Sequence, residues 1–369
     1  MLKRQTLEFN QSYMKYPFVQ EMLNLWDIFV DDDVEQNSSD VKLHKSSKEL
    51  VGSMEFGLGK SFNFDYSDNT DPIVSNKDDK FVLCCVSGGK DSLATVLHYI
   101  ENGYDVHLYT LRGINRGYPE EYKAAVNWAN ALNVPIYIDS IKINGKKFWI
   151  EHPLKNQLIA TFAIAYCLNN GLPTTLSFGN YQDETAEKSN FGVNWTDNCN
   201  LWDAYNSFIK GFVDGAKVEI PLEKEWSGLS ILNDNASLIP LVQSCLMTVR
   251  DRESLRQKNH KKYNIKILPN RCGSCYKCCL EYIYFCDNHK LPYNREFYKH
   301  CLEILKKKYG DYTGPLMNKK FNNLREVYDA YFEDSVRSEY FDGEDDTAEY
   351  DFIEVNEENR EEMTVVNLW

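Results

Sequence analysis

The sequence lacks several features that would assign it to a broad class at once. Its first ten residues, MLKRQTLEFN, contain no apolar h-region, so no secretory signal peptide is expected. No apolar run is long enough to span a bilayer. The longest, LIATFAIAYCL at 158–168, reads as a buried helix. No membrane association is expected, and a cytoplasmic location is. A global basic bias is also missing: 41 Lys and Arg stand against 55 Asp and Glu, for a net charge of −14. That balance argues against an extended nucleic-acid surface and leaves a small nucleotide open as a ligand. The 11 cysteines are an odd number in a chain without an export signal, so no disulfide framework is expected. No internal repeat is present.

What is present is a 369-residue chain of 43% apolar residues, enough for a sizeable core. The acidic charge is concentrated at one end. Residues 333–369 carry 14 acids and 2 bases, a net of −12, which leaves about −2 for the rest. This tail reads as a solvated spacer ending in the apolar MTVVNLW. Residues 1–79 read as an N-terminal extension with an amphipathic helix in YMKYPFVQEMLNLWDIFV. A polar loop in DDDVEQNSSDVKLHKSS and a strand or hairpin in MEFGLGKSFNFDY follow it. Gly59-Lys60-Ser61 is not a Walker A loop, because the position five residues before Gly59 is Met54.

Residues 80–240 alternate regularly. The strands FVLCCVS, DVHLYTL, PIYIDS and TTLSFG are separated by the helices DSLATVLHYIEN, PEEYKAAVNWANALN and LKNQLIATFAIAYCLNN. The expected fold is α/β, a doubly wound parallel sheet covered on both faces. Ligands in such sheets sit beyond the C-terminal strand ends, where Ser87, Arg112 and Gly179 fall. Residues 241–332 read as a cysteine-bearing module followed by helices NREFYKHCLEILKKKYG and NKKFNNLREVYDAYFE.

Two motifs carry chemistry. The first is Ser87-Gly88-Gly89-Lys90-Asp91-Ser92, between a strand and a helix. Its glycines allow a tight turn and a close backbone approach to a ligand. The helix start offers N–H groups and a dipole to an anion. Two hydroxyls and the Lys90 charge complete a turn shaped for phosphate. The second is Cys272-Gly273-Ser274-Cys275-Tyr276-Lys277-Cys278. Three thiolates at this spacing grip one Zn²⁺, and Cys245 is the expected fourth ligand. An iron–sulfur cluster is the alternative, since thiolates suit both. Cys279 is badly placed to share the same metal.

The first motif resembles the SGGxDS loop of the PP-loop ATP pyrophosphatases, whose fold is of the adenine nucleotide alpha hydrolase type. The resemblance covers residues 80–285. Cys245 with the three later cysteines is similar to the zinc site of one member family, 7-cyano-7-deazaguanine synthase. Pro153-Leu154-Lys155-Asn156 resembles that family's Pro-x-Arg-Asn segment, and Gly179-Asn180 with Asp183 and Glu184 resembles its Gly-x-Asn acidic loop. The resemblance implies that ATP binds at Ser87, Gly88, Gly89, Lys90, Asp91, Ser92, Arg112, Lys155, Asn156, Gly179 and Asn180. Ser87, Lys90, Asp91, Ser92 and Asp183 then form the catalytic set. Asp91 or Asp183 orients Mg²⁺, and Zn²⁺ is structural. The implied activity is adenylation of a small-molecule carboxylate followed by attack of ammonia or a protein amine. A protein substrate or partner and a homo-oligomer are compatible with it.

Some positions depart from that pattern. Thr196-Asp197-Asn198-Cys199-Asn200 lacks the arginine of the family's substrate segment. The 26 residues between Cys245 and Cys272 are more than the family usually carries, and they include Arg250, Arg252, Arg256, Lys258, Lys261 and Lys262. Lys90 is more typical of sulfur-transfer relatives. Related synthase-like proteins occur in bacterial antiviral defence, which the added segments would fit. The alternatives are a sulfur-transfer enzyme acting on tRNA or DNA and a nucleotide-binding subunit of a larger assembly.

Overall fold

A computed structural model describes residues 6–29, 42–58, 61–67, 71–114, 121–144, 152, 154–180, 199–222, 229–245, 247, 249–268, 270–288, 291 and 293–309. Asp183, Glu184, Pro153, residues 196–198, the expected helix at 318–333 and the acidic tail lie outside them. The chain divides into two units, Met1–Gly228 and Leu229–Trp369.

The first unit begins with β1 (Thr6–Glu8), which pairs antiparallel with β8 (Lys142–Asn144). Pro17 then opens α1 (Pro17–Phe29), where its missing N–H costs nothing. The helix turns Phe18, Val19, Met22, Leu25 and Trp26 into the core. β2 (Lys42–His44) pairs parallel with β3 (Asp65–Ser67). Between them runs α2 (Ser47–Leu58). The buried Glu21 carboxylate of α1 accepts from His44 N at 2.6 Å and Ser47 Oγ at 2.7 Å, tying α1 to the start of α2. Residues 54–58 of the expected strand or hairpin are therefore helical. Leu50, Val51 and Met54 are buried at helical spacing, and that periodicity outweighs the short alternation that follows them. Lys42–His44, expected in a loop, forms β2.

β4 (Ile73–Val74) leads into β5 (Phe81–Cys85), which is apolar and buried at every position. A strand apolar on both faces belongs inside a parallel sheet covered on both sides. Here β6 (Asp105–Arg112) and β9 (Thr175–Phe178) flank it, both parallel, with Cys85 opposite Tyr109 and Phe178. β7 (Ile136–Ser140) lies beyond β6. β10 (Val213–Asp214) pairs with β4, and β11 (Lys217–Glu219) lies beyond β9. The parallel sheet therefore has the order β11-β9-β5-β6-β7. The four expected strands are present, and β11 adds a fifth.

The connections are helical. α3 (Lys90–Glu101) joins β5 to β6, and α4 (Glu121–Leu132) joins β6 to β7. α5 (Lys155–Asn170) precedes β9 and ends on Gly171 at φ 66°, the left-handed cap that glycine tolerates. α6 (Cys199–Lys210) precedes β10. Residues of the expected N-terminal extension share one core with this sheet: Tyr13, Phe18 and Trp26 cluster with Leu83, Phe162 and Leu176. Tyr13 and Tyr109 both donate to Asp139 Oδ2, the second at 3.2 Å, so the N-terminal segment is also held to β7 by the Tyr13 hydrogen bond.

The second unit is helical: α7 (Leu229–Asp234), α8 (Val249–Tyr263), α9 (Tyr276–Asp287) and α10 (Arg295–Tyr309). Asn294 caps α10 by accepting from Phe297 N at 2.9 Å. α9 and α10 pack through Tyr282 against Phe297, with ring centroids 4.7 Å apart, and through a Tyr298–Asp287 hydrogen bond of 2.8 Å.

Candidate functional site

The sheet order locates the first candidate site. From β5 the chain passes to β6 and β7 on one side, then returns to β9 and β11 on the other. The winding reverses between β5 and β9. In open parallel sheets, the crevice beyond the strand ends at such a reversal is where ligands sit. Residues 87–92 leave β5 there, and Gly179-Asn180 leaves β9 there.

Gly88 has φ 88°, a conformation that favours glycine. Gly89 is the N-cap of α3 and supplies no side-chain cap. The bond from Leu93 N to Gly89 O (3.2 Å) starts the helix, and the N–H groups ahead of it are those a helix start offers to an anion. Ser87 Oγ and Ser92 Oγ lie 3.3 Å apart, and Ser87 is exposed. Lys90 is buried and its ammonium pairs with Asp91 Oδ1. This places a positive charge at the helix start, paired with a carboxylate.

Gly179 fits against this turn. A Cβ at this position would lie 2.6 Å from the Asp91 carbonyl atoms and 2.7 Å from Ser92 N. Only a glycine lets the end of β9 approach the loop backbone so closely, and Asn180 is buried next to it. The remaining expected binding residues stand on other elements. Arg112 is exposed at the end of β6, its guanidinium 5.0 Å from the Tyr122 ring centroid. Lys155 and Asn156 are half-buried in the first turn of α5, where Lys155 N donates to His152 O at 3.0 Å. Asp183 lies outside the described residues.

His152, just ahead of α5, was not singled out by its sequence context. Its ring stacks on Trp26 at 3.5 Å and 8°. Leu154 N donates to Nδ1 at 3.0 Å, which leaves the ring proton on Nε2, 3.3 Å from Trp26 O. Burial pushes its pKa down to about 3, against a smaller opposing effect of the Trp26 carbonyl.

The second candidate site lies wholly in the second unit. The sulfur atoms of Cys245, Cys272, Cys275 and Cys278 are all buried and within 4.8 Å of one another. Four sulfurs around a tetrahedral zinc, each bonded at about 2.3 Å, stand about 3.8 Å apart. The Cys272–Cys278 separation of 3.9 Å already fits that spacing. Gly273 turns the chain at φ 66°, and this brings the N–H groups of Ser274 (3.3 Å) and Cys275 (3.1 Å) onto Cys272 Sγ. Such donors stabilise a thiolate. Hydrogen bonding with Cys272 holds the Cys245 pKa below its usual value, whereas hydrogen bonding with Cys245 lifts that of Cys272 and burial lifts that of Cys278. Four thiolates in one buried group need a shared cation. Cys279 Sγ points instead to Gly273 O, 3.9 Å away.

Residues outside the cysteine motif hold this turn. Asn259 of α8 donates to Cys272 O at 2.9 Å and Ser274 Oγ at 2.7 Å, and His300 Nε2 of α10 meets Gly273 O at 3.2 Å. Nothing in their sequence spacing marks them.

No family model matches the sequence. No curated protein matches it. Among solved structures, the chain is similar to a predicted subunit of a tRNA methyltransferase from Methanocaldococcus jannaschii, with 20% identity and a TM-score of 0.26, over 42% of this chain and 74% of that one. It is also similar to NMN synthetase from Francisella tularensis, with 13% identity and a TM-score of 0.25, over 47% of this chain and 78% of that one. A type III CRISPR defence DNA nuclease activated by cyclic oligoadenylate is similar with 13% identity and a TM-score of 0.21, over 59% of this chain and 35% of that one. Likeness at this level carries no argument about the chemistry of this chain.

Proposed function

We infer that the protein is an ATP-dependent, adenylate-forming ligase of the PP-loop ATP pyrophosphatase type, with a doubly wound parallel sheet, and that it resembles 7-cyano-7-deazaguanine synthase. The observation that carries this reading is the glycine-lined turn at 87–92, set where the winding reverses and closed against by Gly179. A turn with helix-start N–H groups, two hydroxyls and a buried lysine is suited to a leaving pyrophosphate.

In this mechanism a carboxylate oxygen attacks the α phosphorus of ATP. The bond from that phosphorus to the bridging oxygen breaks, and pyrophosphate leaves into the turn. Ser87, Gly88, Gly89 and Ser92 donate to its oxygens, and Lys90 offsets its charge. An amine then displaces AMP and forms an amide. With ammonia, a second activation carries the amide to a nitrile; with a protein amine, the reaction stops at the conjugate. Asp91, which pairs with Lys90, would hold Mg²⁺ by giving up that partner. Asp183 is the alternative carboxylate for that ion.

The four cysteines fit zinc as a closed structural centre, because all four coordination positions are filled by protein sulfur. A buried set of four thiolates suits zinc and an iron–sulfur cluster alike, so the metal that the protein holds separates the ligase reading from sulfur transfer. The test is to incubate the full chain with ATP, Mg²⁺ and a panel of acids that includes 7-carboxy-7-deazaguanine, and to follow AMP by mass spectrometry. Acid-dependent AMP supports the reading. ATP left intact with every acid, in a protein shown to bind ATP, points to a nucleotide-binding subunit instead.

A further inference from the structure

Arg271 immediately precedes Cys272 and is among the largest fully buried side chains. A buried charge needs a partner, and Arg271 Nε lies 2.7 Å from Glu281 Oε2, with both side chains 1% exposed. The rest of the guanidinium faces elsewhere. Nη1 donates to Val242 O, and Nη2 to Ile239 O at 3.4 Å. The neighbouring Asn270 Nδ2 reaches Pro240 O at 2.6 Å and Val242 O at 2.5 Å. Those carbonyls belong to the turn at 236–242 that leads into Cys245. Glu281 lies on α9, three residues past Cys278. One planar fork thus joins the segments that carry Cys245, Cys272 and Cys278.

We propose that Arg271, assisted by Asn270, is the positioning residue of the cysteine centre and presents Cys245 as its fourth ligand. Three ligands come from seven consecutive residues and are gathered locally by the turn at Gly273. Cys245 is separated from them by 26 residues, and closing that loop costs entropy. Contacts that pin residues 239–242 against residues 270–271 lower this cost before a metal arrives. Arginine suits the task because one flat group pairs by charge with a carboxylate and donates hydrogen bonds to two carbonyls, which lysine does not do. The proposal rests on the four cysteines holding a metal.

The test uses the full chain loaded with Co²⁺ or Zn²⁺. In Arg271→Lys, Glu281 keeps a cation but the carbonyl fork is lost. In Asn270→Ala, the buried pair is left alone and only the contacts to the 240–242 carbonyls are removed. Cys245→Ser serves as the reference for a three-thiolate centre. We expect both variants to lose about a quarter of the thiolate-to-cobalt charge-transfer intensity, as in the reference, because one sulfur of four is replaced. Zinc transfer to a competing chelator should speed up about tenfold or more, as is usual when a partner behind the ligands is lost. If Arg271→Lys does not fold, Asn270→Ala decides. Variants that keep the unsubstituted cobalt spectrum and zinc release rate overturn the proposal. Failure of the unsubstituted protein to bind either metal overturns the four-cysteine reading on which it stands.

Discussion

At the scale of the residue, Gly179 leaves no room for a side chain. A methyl group at Gly179 meets the backbone of Asp91 and Ser92 at 2.6–2.7 Å, and backbone yields less than a flexible side chain. Gly179→Ala should therefore displace the loop, with AMP formation falling at least about tenfold, roughly 1.4 kcal/mol of lost transition-state stabilisation. The far-ultraviolet circular dichroism should keep its helix and strand signature; unchanged AMP formation would remove Gly179 from the site. His152 gives a second prediction. Its folded pKa of about 3 lies below the ordinary histidine value, so the unfolded chain binds a proton that the native ring refuses. Stability attributable to this group is complete above about pH 6.5 and is lost as the pH falls from there toward 3, by about 1.4 kcal/mol per pH unit. His152→Asn keeps an acceptor for Leu154 N and should lower stability at neutral pH while flattening that acid slope in urea titrations. An unchanged slope would assign the acid sensitivity to other groups. Sequence context marked Gly179 by its place after a strand, but not His152, whose partner Trp26 lies 126 residues away.

At the scale of the element, the strands of the α/β unit were readable because each is an apolar run followed by a helix of helical period. β5 and β9 are held in register by that pattern. β10 and β11 were not readable: runs of two and three residues carry no usable period. α2 was misread because its last residues alternate by accident, while its buried face is decided by α1, through Glu21. The N-terminal segment was read as an addition because nothing local says what it packs against. Tyr13 and Tyr109, both donating to Asp139, show what does. Burial raises the pKa of both tyrosines, so both remain hydroxyl donors, and Asp139→Ala strands them. The expected cost is about 2–4 kcal/mol from two buried groups left without an acceptor. A midpoint shift in denaturant checks it, and a shift below about 0.5 kcal/mol would mean that the Asp139 hydrogen bonds do not help to hold the segment.

At the scale of the whole molecule, the two candidate sites belong to different units and were legible to different degrees. Cysteine spacing picked out three of the four sulfurs that come together, because they sit within seven residues; Cys245, separated from them by 26 residues, was legible only through the resemblance to a known zinc site. The supports of that centre, Asn259, Arg271, Glu281 and His300, were not legible, since each acts through a backbone carbonyl or a buried pair with no sequence signature. The purified protein should hold about one Zn²⁺ per chain, and Cys275→Ser should lose it together with several kcal/mol of stability, because metal affinity is folding affinity. Iron with acid-labile sulfide in place of zinc would favour the sulfur-transfer alternative. Among the described residues, no helix is long and apolar enough to cross a membrane.

The central claim is that the turn at 87–92 receives pyrophosphate from ATP, and isotope exchange tests it most directly. The full chain is incubated with ATP, Mg²⁺, labelled pyrophosphate and an acid that yields AMP, without an amine. Reversible adenylation returns label to ATP, only when the acid is present, and Ser87→Ala or Asp91→Ala abolishes the return. Formation of ADP and phosphate with no label returning to ATP, or exchange that persists unchanged in both variants, would contradict the account.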